Sequence, residues 1–191
     1  VRSLFTLLLV FVLTGRGVED MLPAFVAQVL EGGVRGVATL TALLGVGSIV
    51  GALWASGRPL HGLTRTMLIV AVGYAISFGA FGVSTDMSFA CMWMVVIGFC
   101  TVQFGTAAQA LLQSSVASAL RGRVLSLWFI VLRAGPGLGA LLLGATSEVL
   151  GLPLALLAAS IVCVIACVSM WPRLARMARE LERPASCSTA A

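Results

Sequence analysis

Between residues 99 and 151 (FCTVQFGTAAQALLQSSVASALRGRVLSLWFIVLRAGPGLGALLLGATSEVLG) two long apolar stretches run into and out of a short polar knot, and this restricts the fold more than any other feature. The knot, Ala119-Leu120-Arg121-Gly122-Arg123, is too polar for hydrocarbon and too short for a domain, so the stretch reads as a membrane hairpin. The ascending limb carries Gln103, Gln109 and Gln113 with Thr106 and Ser114. At about 100° per residue these fall within an arc of about 140°, a polar stripe on one side of a helix. The descending limb has Arg133 at its middle, followed by Gly135, Pro136, Gly137 and Gly139. Such small residues let helices approach closely, and the proline loosens the backbone ladder.

Composition leads to the same class. With 60% hydrophobic and 10% charged residues and a mean hydropathy of +1.08, the 191 residues carry more apolar surface than a soluble domain could bury. The expectation is an all-α integral membrane protein. Lysine is absent, and the net charge of +5 rests on arginine. Cys91, Cys100, Cys163, Cys167 and Cys187 show no metal-ligand spacing with His61, the single histidine, so neither a metal site nor a cofactor is expected.

Hydropathy divides the chain into spans of about 3–28, 37–55, 67–83, 89–114, 124–146 and 154–170, a bundle over 1–172 followed by a basic tail, 173–191. A signal peptide is rejected for the first span, because no small-x-small cleavage site follows and apolar character resumes at Met21. Within it sit Arg16, Glu19 and Asp20, spaced to share one helix face. Each such charge costs about 2.5 to 3.5 kcal/mol near the bilayer centre, so they must face protein or water. One reading is an intrahelical salt bridge that makes the helix insertable; the other is a proton or substrate site. With both ends cytoplasmic, the inner segments hold Arg2, Arg58, Arg65, Arg121, Arg123, Arg173, Arg176, Arg179 and Arg183, against Arg35 in the outer loops. That follows the positive-inside bias and implies a multi-pass protein of the cytoplasmic (inner) membrane.

Enzymatic chemistry is not expected. A hydrolase or transferase needs a nucleophile with its base, or a carboxylate-bound metal, gathered in one site, and no such set is visible. No nucleotide-binding loop occurs either, so an ion gradient is the expected energy source, and no nucleic-acid partner is expected.

The glutamine-bearing helix, the run Leu120-Arg121-Gly122-Arg123-Val124-Leu125-Ser126-Leu127, and the glycines from Gly135 to Gly139 with Gly144 resemble helices 10 and 11 of the major facilitator superfamily. Met21-Leu22-Pro23, Gly45-Val46-Gly47 and Gly51-Ala52-Leu53 are similar to its helices 7 and 8, in the enterobactin-exporter-like and macrolide-efflux-like branch. The resemblance implies the C-terminal six-helix half of a twelve-helix secondary transporter, an antiporter coupling protons to efflux of a small molecule such as a drug or siderophore-like compound. Val1 in place of methionine fits such a half. Spans one, two, four and five would line the cavity, with three and six toward lipid. Arg16, Glu19, Asp20, Gln103, Gln109 and Arg133 would form the substrate and proton pathway. Gly62 and Arg65 match the superfamily's gating loop, although its acidic residue is missing, and Arg121, Gly122 and Arg123 would form the second gate. Partners implied are the lipid bilayer, a small-molecule substrate, the proton and an N-terminal six-helix half. The other reading is a membrane fragment or scaffold subunit that transports nothing.

Overall fold

The computed structural model describes residues 9, 11–12, 22–27, 33–57, 63–115 and 121–181, without the side chains of 63, 114–115, 121 and 170–181. Its long elements are Gly33–Ser56 (α1), Leu63–Gly82 (α2), Met87–Ser115 (α3), Arg121–Leu150 (α4) and Leu152–Leu181 (α5). All five have the length and apolar composition to cross a membrane. Residues 9, 11–12 and 22–27, all helical, belong to the expected first span. The protein is all-helical over the described residues and has the membrane fold expected from its hydropathy.

Lipid offers no hydrogen bonds, so the hydroxyls inside these helices turn back on their own backbone. Thr101 Oγ1 donates to the Ile97 carbonyl at 2.8 Å, Ser77 Oγ to Gly73 at 2.8 Å and Thr146 Oγ1 to Leu142 at 2.9 Å. Helix junctions are short for the same reason. Asp86 takes the N-cap place of α3, where its carbonyl accepts the Ala90 N–H at 3.0 Å and its charge suits the positive helix end. Between α4 and α5 there is one residue, Gly151, at φ +81°, a conformation that excludes most side chains.

Two glycine seams hold the bundle. Along the first, Gly36 of α1 meets Met87 of α3, Gly47 meets Val95 and Gly51 meets Phe99, so α1 and α3 run parallel. The backbones nearly touch. A Cβ on Gly47 would stand 2.0 Å from the Val95 carbonyl oxygen, and one on Gly98 2.1 Å from that of Leu44. The spacing Gly47-x-x-x-Gly51 is thus used as close-contact spacing is expected to be. In the second seam, antiparallel, Gly79 and Gly82 of α2 abut Ser160 and Leu156 of α5, and Ser160 Oγ donates to the Ala75 carbonyl at 2.7 Å. Phe11 of the N-terminal segment fills the middle, stacked on Phe104 with centroids 3.6 Å apart and tilted against Tyr74 at 4.7 Å.

Several boundaries differ from the sequence reading. Arg121, Gly122 and Arg123, expected as a loop, form the first turn of α4, and Arg65 lies in the first turn of α2. The residues from Arg173, expected as a tail, continue α5, which runs unbroken to Leu181. Outside hydrocarbon, helix propensity decides where a helix ends, and arginine and leucine are good helix formers. A second difference concerns α2, expected to face lipid. Of its apolar stretch 61% of residues are buried, against 17% for α4. Ile69 and Ile76 mark its exposed strip, because α3, α5 and the N-terminal aromatics enclose the rest.

The twenty residues of α2 span about 30 Å at about 1.5 Å each, which puts exposed Gly57 and Thr85 at opposite membrane faces. Single cysteines at these positions, in a background lacking the native five, should react with impermeant maleimide from opposite sides of sealed vesicles. Labelling of both from one side would contradict the order of the spans.

Candidate substrate pathway

The polar stripe on α3 divides when its surroundings are seen. Gln103 is buried at 4% exposure, and its Nε2 donates to the Gly51 carbonyl of α1 at 2.9 Å. It extends the glycine seam, because the missing side chain at Gly51 leaves that carbonyl within reach. Thr106, one turn on, is exposed and returns its hydroxyl to Val102 at 2.9 Å, while Gln109 and Gln113 are half-buried. Only the part of the stripe beyond Gln103 is therefore open to a solute.

Across from it stands α4. Between the two helices and the N-terminal segment lies a cavity of about 30 Å³ lined by Phe11, Val12, Thr101, Phe104, Gly105, Trp128 and Leu132. That is room for about one water molecule. Gly105 and Leu132 are the sequence neighbours of exposed Thr106 and exposed Arg133, so both polar residues lie within one position of this junction along their helices. Gly135, two residues past Arg133, lets α4 settle on Val12, whose Cγ1 lies 2.3 Å from where a Cβ would be. Pro136 follows inside the helix and leaves the Leu132 carbonyl without its usual N–H donor.

Of the residues singled out from sequence, the structure brings α3 and α4 together beside Arg133 and gives Gln103 to the α1 contact. Arg65, Gly122 and Arg123 are exposed at helix starts. Arg16, Glu19, Asp20 and Gly62 lie outside the described residues, as does the Arg121 side chain. Sequence reasoning did not find Ser160 or Trp128, the latter 2% exposed at the cavity wall. Their types are common in membrane helices, and only the pairing of distant helices reveals them.

An apolar helix bundle with polar residues on one open face fits several kinds of membrane protein, and one comparison decides among them. The family described as transmembrane secretion effector, of the major facilitator type, matches residues 1–187. The chain belongs to that family. No curated protein and no solved structure matches it. As a transmembrane secretion effector it is a multi-pass membrane protein of the transporter class. In that family setting α4 is the helix to examine first, since it combines the least burial with an exposed arginine.

Proposed function

We propose that this chain is a six-helix half of a proton-coupled secondary transporter that exports a small molecule such as a drug or siderophore-like compound. The observation that carries the reading is exposed Arg133 in the middle of a helix long and apolar enough to span the membrane. An arginine facing lipid there costs about 2.5 to 3.5 kcal/mol, so this face of α4 meets water or protein. An N-terminal six-helix half supplies the opposite wall of that aqueous space. Both termini lie in the cytoplasm and the bilayer is the inner membrane, because this orientation gathers the loop arginines inside. Arg133 meets an anionic or polar group of the substrate, with Thr106 and Gln109 beside it.

Proton coupling falls to Glu19. Asp20 follows Arg16 by four positions in the sequence, the spacing of an intrahelical ion pair, which would keep it ionised and leave Glu19 to gain and lose a proton as water enters and leaves. The test is reconstitution of the complete gene product in proteoliposomes with an imposed pH difference, screened against hydrophobic and chelating compounds. The native protein should accumulate its substrate, and Glu19→Gln should abolish accumulation while retaining substrate exchange. Undiminished accumulation by Glu19→Gln would remove Glu19 from coupling, and the absence of any substrate-dependent proton flux would remove the transport reading.

A further inference from the structure

The N-terminal ends of α2 and α3 are charged in opposite ways. Asp86 stands at the start of α3, where a carboxylate suits the positive end of the helix. The first turn of α2, Leu63-Thr64-Arg65-Thr66, has no acidic residue and carries exposed Arg65 instead. An arginine there adds positive charge to a positive end, the reverse of what the helix dipole favours. The first four N–H groups of α2 also have no carbonyl of their own helix to meet. An anion would answer both deficits.

Thr64 gives the independent sign of one. Other hydroxyls in the described helices turn back on carbonyls three or four residues earlier, as Thr39 does to Arg35 at 2.9 Å and Thr101 to Ile97 at 2.8 Å. Thr64 has no such carbonyl within α2, because the position four residues earlier precedes the helix. It is 2% exposed, and its Oγ1 is one of two buried side-chain polar atoms among the described residues with no hydrogen-bond partner, the other being Nε1 of Trp93. In a helix each Cα–Cβ bond tilts toward the N-terminus, so this side chain is directed to the end where the unmet N–H groups and Arg65 are gathered.

We propose that the N-terminal turn of α2 binds the phosphate group of an anionic phospholipid. A phosphate presents acceptor oxygens in several directions, so a hydroxyl, backbone N–H groups and a guanidinium can be met together. The source is lipid because of where the turn stands. The apolar span runs Thr64–Gly82, and a helix of twenty residues at about 1.5 Å each matches a hydrocarbon core of about 30 Å, so Thr64 and Arg65 lie at the level of the headgroups. The site rests on the membrane fold and not on the transport reading; in the orientation proposed above it belongs to the cytoplasmic leaflet.

The full-length protein, purified in uncharged detergent and stripped of lipid, tests this through its melting midpoint and through native mass spectrometry with phosphatidylglycerol, phosphatidylcholine or inorganic phosphate added. Phosphatidylglycerol should stay bound and raise the midpoint, and the other two should do neither. Thr64→Val puts a methyl in place of the hydroxyl, so without lipid it should melt at or above the native midpoint, because an unmet buried group has been removed. It should bind phosphatidylglycerol about fivefold more weakly, as should Arg65→Gln, whereas Thr64→Ser keeps the hydroxyl and the lipid response. Arg123, exposed in the first turn of α4 at the same membrane face, measures attraction by charge alone, and Arg123→Gln should weaken binding less than Arg65→Gln does. A midpoint lowered by Thr64→Val in the absence of lipid would show that the hydroxyl already has a protein partner. Undiminished lipid binding by Thr64→Val, equal losses in Arg65→Gln and Arg123→Gln, or equal protection by inorganic phosphate would likewise overturn the proposal.

Discussion

Gly98→Val should leave no stable bundle. Its Cβ would lie 2.1 Å from the Leu44 carbonyl oxygen and 3.0 Å from that carbonyl carbon, and both are backbone atoms that no rotamer change can withdraw. Relief requires α1 to move away from α3. That would also stretch the reciprocal contact of Gly47 with Val95 and the bonds from Gln103 to Gly51 and from Ser48 to Gly98. Overpacking a core costs about 1 to 3 kcal/mol where side chains can adjust, and a clash between backbones should exceed the upper figure. Gly45→Ala and Gly105→Ala are the matched controls, because neither Cβ would have a neighbour within 4 Å. Thermal unfolding in detergent should show both controls at or above the native midpoint and Gly98→Val aggregated or far below it. An unchanged midpoint for Gly98→Val would mean that the seam does not exist as described.

Arg133→Leu should do the opposite, sparing the fold and removing transport. The side chain is exposed and sits on the least buried helix, so leucine there loses no described contact. If Arg133 holds a polar group of the substrate, its loss should lower transport by more than tenfold, in line with the penalty for leaving a buried charge-assisted partner unmet. Arg133→Lys retains the charge without the planar fork and should fall between. Initial uptake rates in proteoliposomes, with detergent melting curves beside them, separate the two effects. Native transport by the leucine variant would reduce Arg133 to a group that helps the helix face water.

The five spans that the structure describes were legible because hydropathy is a property of each segment by itself. Helix ends were not. Arg121 to Arg123 and Arg173 to Leu181 were read as loop and tail because charge was equated with an end, although in the interface a charged residue can extend a helix into water. The pathway was legible in residue type and not in partner. Gln103 and Gln109 look alike in sequence, yet one faces a backbone carbonyl 52 positions away and the other lies half open. Nothing local to α3 records that Gly51 will expose that carbonyl. The enclosure of α2 was missed for a related reason. Its lack of ionisable residues fits lipid and a helical surround equally well, and only the fit of Gly79 and Gly82 against α5 distinguishes them.

The parallel pairing of α1 with α3 also sets a timetable for synthesis. Gln103 is made 52 residues after Gly51, about 3 to 10 s later at about 5 to 20 residues per second. Both segments leave the ribosome with the same delay, so α1 emerges ahead of α3 by an interval of that length, and the helix made next, α2, runs the other way and is not its glycine partner. A translocating machine must release α1 into lipid, or shelter it, with the narrow side that will meet α3 uncovered. Apart from Leu40, the buried side of α1 is glycine, which offers little to seize a wrong neighbour, while Leu53, Ile49 and Val46 on the exposed side keep the lone helix in the bilayer until its mate arrives.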